Sequence, residues 1–223
     1  LSTDQQWSVA QSLEQALHSL QIKKHLNVLP LSVLLENIAG VYTALACGAE
    51  NTCVPLSEVG LHGSSHFDAD ACMAAIEKYQ AESIILLPQM LQAIVTRSTK
   101  QDPRLKSLKF VAVGGGKTAV ALIKTAKSMG IPVYEGYGLS ETSPSASCNP
   151  TTSTQFTGTI GVPLPSTFMT LLDDEGKEVT ELGQPGEIAI KGPQVMAGYW
   201  QRPDETARCM TADGYFKSCD IGI

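Results

Sequence analysis

The sequence predicts an α/β protein: a mostly parallel sheet covered by helices on both faces, followed by a smaller β-rich subdomain. Three observations carry that prediction. Short apolar strands alternate with helical segments of about 10–15 residues along the first part of the chain, the pattern of βαβ units. Glycines follow two of those strands directly, at Gly114 and Gly136, where a parallel sheet places its ligands. Past Ser140 the texture changes to Ser, Thr, Pro and Asn, then to strand patterns around a turn. The expected division is residues 1–150 and residues 151–223 of one large domain.

From Asp4 to Leu20, Trp7, Val9, Ala10, Leu13, Ala16, Leu17 and Leu20 recur at helical spacing. Asn27 to Leu31 reads as a short buried strand. A second helix is expected from Ser32, as its N-cap, to Cys47, with Val33, Leu34, Leu35, Ile38, Val41, Tyr42 and Leu45 in the core. Thr52 to Val54 is strand-like, and Asp68 or Asp70 caps a helix to Tyr79. Ser83–Leu87 is a strand, and Pro88 opens a helix to about Thr96, where its missing N–H costs nothing. Lys109–Val113 is a strand, Lys117–Met129 a helix and Pro132–Glu135 a strand. Ser140 to Gly158 reads as a long loop, of the length that is usually functional. Thr167–Leu172 and Glu187–Lys191 are strands about the turn Asp173–Gly176, and Pro203 begins a short helix.

Composition narrows the function classes. The 223 residues are 43% hydrophobic and 17% charged, with 16 Lys+Arg and a net charge of -6, so a nucleic-acid surface is disfavoured. The six cysteines form no C-x-x-C pair, and scattered thiols fit a reducing compartment. No apolar run approaches the roughly 18 residues a membrane span needs, and Leu1–Asp4 is unlike a signal peptide. A cytoplasmic protein is expected, with peripheral contact at the inner membrane face left open.

Val113-Gly114-Gly115-Gly116-Lys117-Thr118 joins a strand to a helix and has three readings. A Walker phosphate loop needs a glycine where Val111 stands, and is rejected. A dinucleotide fingerprint fits Gly114, Gly116 and Ala119, with Glu135 closing the next strand. Alternatively, the bare backbone lets a planar ring lie against it. The next run, Glu135 to Glu141, offers an aromatic face at Tyr137, close approach at Gly136 and Gly138, a hydrogen-bond donor to phosphate oxygen at Ser140 and a hard carboxylate for Mg²⁺ at Glu141. A glycine-rich turn with a solvated Ser-Glu pair explains that spacing equally well.

Gly136-Tyr137-Gly138-Leu139-Ser140-Glu141 resembles the aromatic-G-x-[ST]-E signature of the AMP-forming adenylate ligases, which include acyl-CoA synthetases, peptide-synthetase adenylation domains and luciferases. Gly114–Gly116 is similar to the glycine segment of that family, Gly186 to Trp200 to its G-E-[LI]…G…V…G-Y segment, and Tyr215 to Asp220 to its [YF]-[KR]-T-G-D segment. Asn149-Pro150 and the stretches 158–166 and 192–206 look most like bacterial long-chain fatty acyl-CoA synthetases. The resemblance implies that Gly114, Gly115 and Gly116 pack along adenine with Tyr137 on its other face, and that Glu135, Gly136, Gly138 and Leu139 lie beside them. It implies Ser140 on phosphate, Glu141 on Mg²⁺ and Asp220 on the ribose hydroxyls. The implied reaction uses ATP to convert a fatty-acid carboxylate to acyl-AMP, with CoA then displacing AMP.

Three departures qualify this expectation. The family's phosphate-binding loop would precede residue 1, and its C-terminal domain with the catalytic lysine would follow residue 223. Ser218-Cys219 stands where the family has Thr-Gly, which puts a side chain next to the ribose site. The polypeptide is accordingly expected not to form acyl-AMP alone. Two alternatives stand beside the ligase reading: a nicotinamide-dependent oxidoreductase built on Gly114, Gly116 and Ala119, and a non-catalytic adenylate-binding fragment. His62 to His66, with Asp68, Asp70 and Cys72 following, is read as a solvated loop rather than a metal site, and His18 and His25 as surface residues. With no G-x-S-x-G, a serine triad has no support.

Overall fold

The computed structural model describes residues 1–223 except Ser64, Ser65 and Thr154. The chain begins with helix α1 (Thr3–Leu17), opened by a capping box in which Ser2 Oγ accepts from Gln5 N at 3.2 Å and Gln5 Oε1 from Ser2 N at 2.7 Å. Such a cap is worth about 1 kcal/mol. Val9, Leu13 and Leu17, four apart, form its buried stripe.

Five parallel strands make the centre: β1 (Lys24–Leu26), β2 (Glu50–Thr52), β5 (Ser83–Leu86), β6 (Phe110–Val113) and β7 (Val133–Tyr137). They lie in the order β2-β1-β5-β6-β7 and are extended antiparallel by β8 (Ser147–Cys148) and β9 (Val162–Pro163). The hairpin β3 (Leu61–His62) and β4 (His66–Phe67) stands apart as a two-stranded sheet. Helices α3 (Ala69–Tyr79), α4 (Pro88–Arg97) and α5 (Val120–Ser128) are the crossovers. The side chains of β6 show the two covered faces by alternation. Val111 and Val113 join the cluster of Ile76, Leu91, Ile94 and Ile123 from α3, α4 and α5. Phe110 points the other way, to Leu17 and Ile22.

Parallel strands buried on both faces give continuous apolar runs, so the positions of β5 and β6 are legible from sequence. The expected strand at 27–31 is displaced: β1 ends at Leu26, and Val28 and Leu29 turn their N–H groups to the Glu36 carboxylate at 3.2 and 2.8 Å instead of a ladder. The second helix also differs. It starts as a wide π-type helix (Leu35–Tyr42) that continues into α2 (Thr43–Ala46), and Ser32 does not cap it. Ile38 is fully buried, whereas Val33 and Leu45 are 40% and 58% exposed, so the expected core face is only partly buried. Helix α5 starts three residues later than expected, after Ala119.

His25 is a further correction, being buried and not at the surface. Its Nε2 donates to Glu36 Oε1 at 2.9 Å, its Nδ1 lies 2.9 Å from Ser83 Oγ, and Asn27 Nδ2 donates to the same Glu36 oxygen at 3.0 Å. Glu36 is 0% exposed and its carboxylate meets four donors, as a buried charge must. The strand order reverses between β1 and β5, the point where ligands of such sheets often enter. Here Glu36 and its helix fill that crevice with protein, which leaves the edge at β6 and β7 open.

The last part of the chain is an antiparallel sheet of β10 (Phe168–Leu172), β11 (Gly186–Lys191) and β12 (Phe216–Gly222), with α6 (Pro203–Cys209) before β12. Ile188, Ile190, Val195, Met196 and Phe216 form its core together with Ala146, Tyr137 and Leu139 from the first part. The long loop contains a 3-10 turn (Ser140–Thr142) as well as β8. Among the described residues, no helix is long and apolar enough to cross a membrane.

Candidate active site

The glycine run and Glu135 are neighbours because β6 and β7 pair in parallel with Val113 opposite Glu135. Gly114 closes β6, its N–H donating to Leu86 O at 3.3 Å. Gly115 has φ +75°, a left-handed conformation that favours glycine. A Cβ on Gly114 would meet Leu35 Cδ2 at 3.6 Å, and one on Gly116 only Pro88 Cγ at 3.8 Å, both ordinary contacts. Internal packing therefore explains the absence of a side chain at Gly115 but not at Gly114 or Gly116. The exposed backbone at Gly115 and Gly116 leaves room for a flat ligand group.

Glu135 is half-buried, and its Oε2 accepts from Gly158 N at 2.9 Å. Burial pushes its carboxyl above the ordinary value, against the pull of that bond and of Lys127. Asn149 fastens β7 to the following loop through Glu135 N to Asn149 Oδ1 at 3.2 Å and Asn149 N to Glu135 O at 2.8 Å. Gly138 has an internal reason to be glycine, since a Cβ there would collide with the Pro144 carbonyl. Leu139 leads into the 3-10 turn, where its N–H donates to Thr142 Oγ1 at 2.9 Å. That turn holds Ser140 at the surface and Glu141 beside it.

Asp220 reaches the same edge from β12. From Glu187 to Ala189, two steps of β11 face four steps of β12, from Ile221 to Lys217, so β12 bulges by two residues there. Cys219 sits in the bulge at φ +62°, and its N–H donates to Glu187 Oε1 at 2.8 Å. The bulge aims Asp220 at Tyr137, whose Oη donates to Asp220 Oδ2 at 2.7 Å across 83 positions of sequence. Burial and that carboxylate together hold the Tyr137 phenol well above its usual value. Tyr137, Asp220 and the glycine edge are thus gathered in one place, with Ser140 and Glu141 just beyond.

Tyr199 was not singled out from sequence, although it lies in the Gly186–Trp200 segment. Its Oη donates to Glu141 Oε1 at 2.9 Å, and this bond pushes the phenol up to about 12, so it remains a donor at neutral pH. Leu35 was expected only in the core, and it packs against the glycine run. Among the described residues, no group of three or more His, Cys, Asp or Glu is placed to cage a metal. A lone Glu141 carboxylate suits Mg²⁺ that takes its other ligands from phosphate and water. The His62–His66 motif forms the hairpin β3–β4 with its rings 5.7 Å apart, and its Ser64 and Ser65 lie outside the described residues.

The dinucleotide alternative loses its geometry. Its helix opens at the glycines, whereas α5 begins at Val120, after Lys117, Thr118 and the N-cap Ala119.

Comparison with known proteins gives the same direction. The AMP-binding enzyme family matches residues 3–200. The long-chain-fatty-acid–CoA ligase of Yersinia pestis is 45% identical over 155 residues, which are 69% of this chain and 27% of that enzyme. The enzyme of the same description from Escherichia coli O6:H1 is 37% identical over 158 residues, 70% of this chain and 28% of that protein. The chain therefore spans somewhat over a quarter of the length of these relatives. The ATP-bound structure of MatB from Rhodopseudomonas palustris superposes with a TM-score of 0.86 at 23% identity, over 100% of this chain and 42% of that one. With an α/β sheet edge, a glycine run and a family match that covers most of its length, this chain belongs to the AMP-binding enzyme family, the AMP-forming adenylate ligases.

Proposed function

We propose that this chain forms the adenine, ribose and Mg²⁺ face of a long-chain fatty acid–CoA ligase. The observation that carries the reading is the convergence of Tyr137 and Asp220, 2.7 Å apart, beside a glycine edge whose missing side chains at Gly114 and Gly116 the fold does not require. Adenine lies between Gly114–Gly116 and the Tyr137 ring, with Glu135, Gly136, Gly138 and Leu139 lining that slot. Asp220 accepts from the ribose hydroxyls, a task its two carboxylate oxygens suit. Ser140 donates to phosphate, and Glu141 would hold Mg²⁺, which would neutralise phosphate charge. The reaction is attack of a carboxylate on the α-phosphorus of ATP, giving acyl-AMP and pyrophosphate, followed by displacement of AMP by the thiol of CoA. These residues act by positioning and by charge complementarity, the main contributions to such chemistry. The long-chain acyl substrate is supported by the described activity of the Yersinia and Escherichia relatives. We further propose that residues 1–150 and 151–223 act as two subdomains of one large domain that meet at this cleft.

Calorimetry with a non-hydrolysable acyl-AMP analogue and with NADH tests the reading. The analogue is expected to bind, and Asp220→Ala to weaken it by about 10-fold or more, through loss of charge-assisted hydrogen bonds worth about 1.5–3 kcal/mol. Preference for NADH, or an unchanged affinity in Asp220→Ala, would refute it.

A further inference from the structure

We infer that Tyr199 is a positioning residue that orients the Glu141 carboxylate toward a bound divalent cation. The inference rests on the proposed assignment of Glu141 as the metal-facing carboxylate, and deepens it.

The loop from Gly192 to Arg202 grips the Glu141 turn at three points. Met196 N donates to the Glu141 carbonyl at 2.8 Å, Ser143 Oγ donates to Gln194 O at 2.8 Å, and Tyr199 Oη donates to Glu141 Oε1 at 2.9 Å. The first fixes the backbone of the turn, the second anchors the Ser143 side chain that follows it, and only the third reaches the carboxylate. The position of Tyr199 is itself set from behind. Its N–H donates to Thr206 Oγ1 at 2.9 Å, and Thr206 Oγ1 also bonds Arg202 O at 3.0 Å in the first turn of α6. Gly198, at φ +148°, lets the chain pass so close to Thr206 that a Cβ would lie 2.8 Å from its Cγ2. Replacing that glycine would push the loop away from α6 and carry the phenol with it.

The chemistry of the donor matters as much as its place. A lysine or arginine at 199 would neutralise the carboxylate and compete with a cation. A neutral phenol engages one oxygen, limits rotation about the last torsion of Glu141 and leaves the full negative charge in place. Hydrogen-bonded partners of ligating carboxylates typically contribute about 10–100-fold to metal affinity.

The test uses the 223-residue polypeptide with ATP present and Mn²⁺ as the probe, its free concentration followed by electron paramagnetic resonance. Tyr199→Phe, which removes the hydroxyl alone, is expected to weaken Mn²⁺ binding about 10-fold. Its thermal midpoint and its ATP affinity in EDTA are expected to match wild type. Glu141→Gln should weaken Mn²⁺ further, and the double variant should be no weaker than Glu141→Gln, because the phenol acts through that carboxylate. If Tyr199→Phe binds Mn²⁺ like wild type while Glu141→Gln does not, the positioning role is overturned and the assignment of Glu141 survives. If Glu141→Gln binds like wild type, or wild type binds no Mn²⁺, the assignment itself falls and this inference with it. A Tyr199→Phe variant that loses thermal stability and EDTA-resistant ATP affinity in step with Mn²⁺ would show a merely structural role and overturn the inference.

Discussion

The edge formed by β6 and β7 and the bulge of β12 deliver side chains to one cleft, yet they are held in place by different forces. β5, β6 and β7 are sealed between two helical layers, with Ile84, Leu86, Val111, Val113 and Val133 almost wholly buried. Behind them the Glu36 carboxylate meets four donors in the interior. The β10–β12 sheet has a smaller buried cluster and exposes Phe168 and Ile221. Side chains at the cleft tie it to the first part by two tyrosine–carboxylate bonds, Tyr137 to Asp220 and Tyr199 to Glu141. Solvent-accessible hydrogen bonds of that kind contribute about 0.5 kcal/mol or less each. The first wall is therefore rigid, and the second is joined to it through a smaller apolar cluster and hydrogen bonds at the cleft. Both carboxylates assigned to ligand contact stand at that junction.

The largest expected effect tests the rigid side. Glu36→Ala strands His25, Asn27 and two backbone N–H groups in the interior, and should lower unfolding free energy by about 3–5 kcal/mol in urea titrations. Asp220→Ala should cost about 1 kcal/mol or less by the same measurement, because its bond lies at the surface. Equal losses would erase the distinction between the two walls.

A smaller effect separates the glycines. Gly138→Ala drives a Cβ into the Pro144 carbonyl and should destabilise by about 1–3 kcal/mol. Gly116→Ala meets no such obstacle, and should leave stability unchanged or raise it by about 0.4–1 kcal/mol. Its cost should appear instead as at least 10-fold weaker binding of the acyl-AMP analogue. A Gly116→Ala variant that melts early but binds normally would reverse the assignment.

The smallest effect concerns the bulge. Cys219 holds a left-handed conformation that costs a side-chain-bearing residue about 1–2 kcal/mol. Cys219→Gly should therefore raise the thermal midpoint, by an amount equivalent to about 0.5–1 kcal/mol once the extra entropy of glycine in the unfolded chain is deducted. A lower midpoint would mean that the thiol packs usefully at that surface.

Much of the first wall was legible because it depends on local order. Ser83–Leu86 and Phe110–Val113 are apolar runs of strand length, Pro88 marks the start of α4, and the glycines follow β6 at once. Misreadings occurred where a distant partner outcompeted the local pattern. Val28 and Leu29 look like strand, but Glu36 takes their N–H groups. His25 looks solitary until β1 and β5 pair and place Ser83 beside it. Strand β12 escaped notice because its bulge breaks the two-residue alternation that marks a strand.

The sequence by itself determined the alternation of strands and helices, the glycine edge, and the motifs from Gly136 to Glu141 and from Tyr215 to Asp220. Strand periodicity and glycine placement are properties of neighbours in the chain, so they survive in one dimension. Only the tertiary structure decided that Asp220 meets Tyr137, that Tyr199 holds Glu141, and that Glu36 closes the crevice between β1 and β5. Those contacts span from 7 to 83 positions, being set by strand order, a two-residue bulge and a loop pinned to α6. No local spacing encodes them, because the energy that selects them comes from burial and hydrogen bonding between segments that fold together.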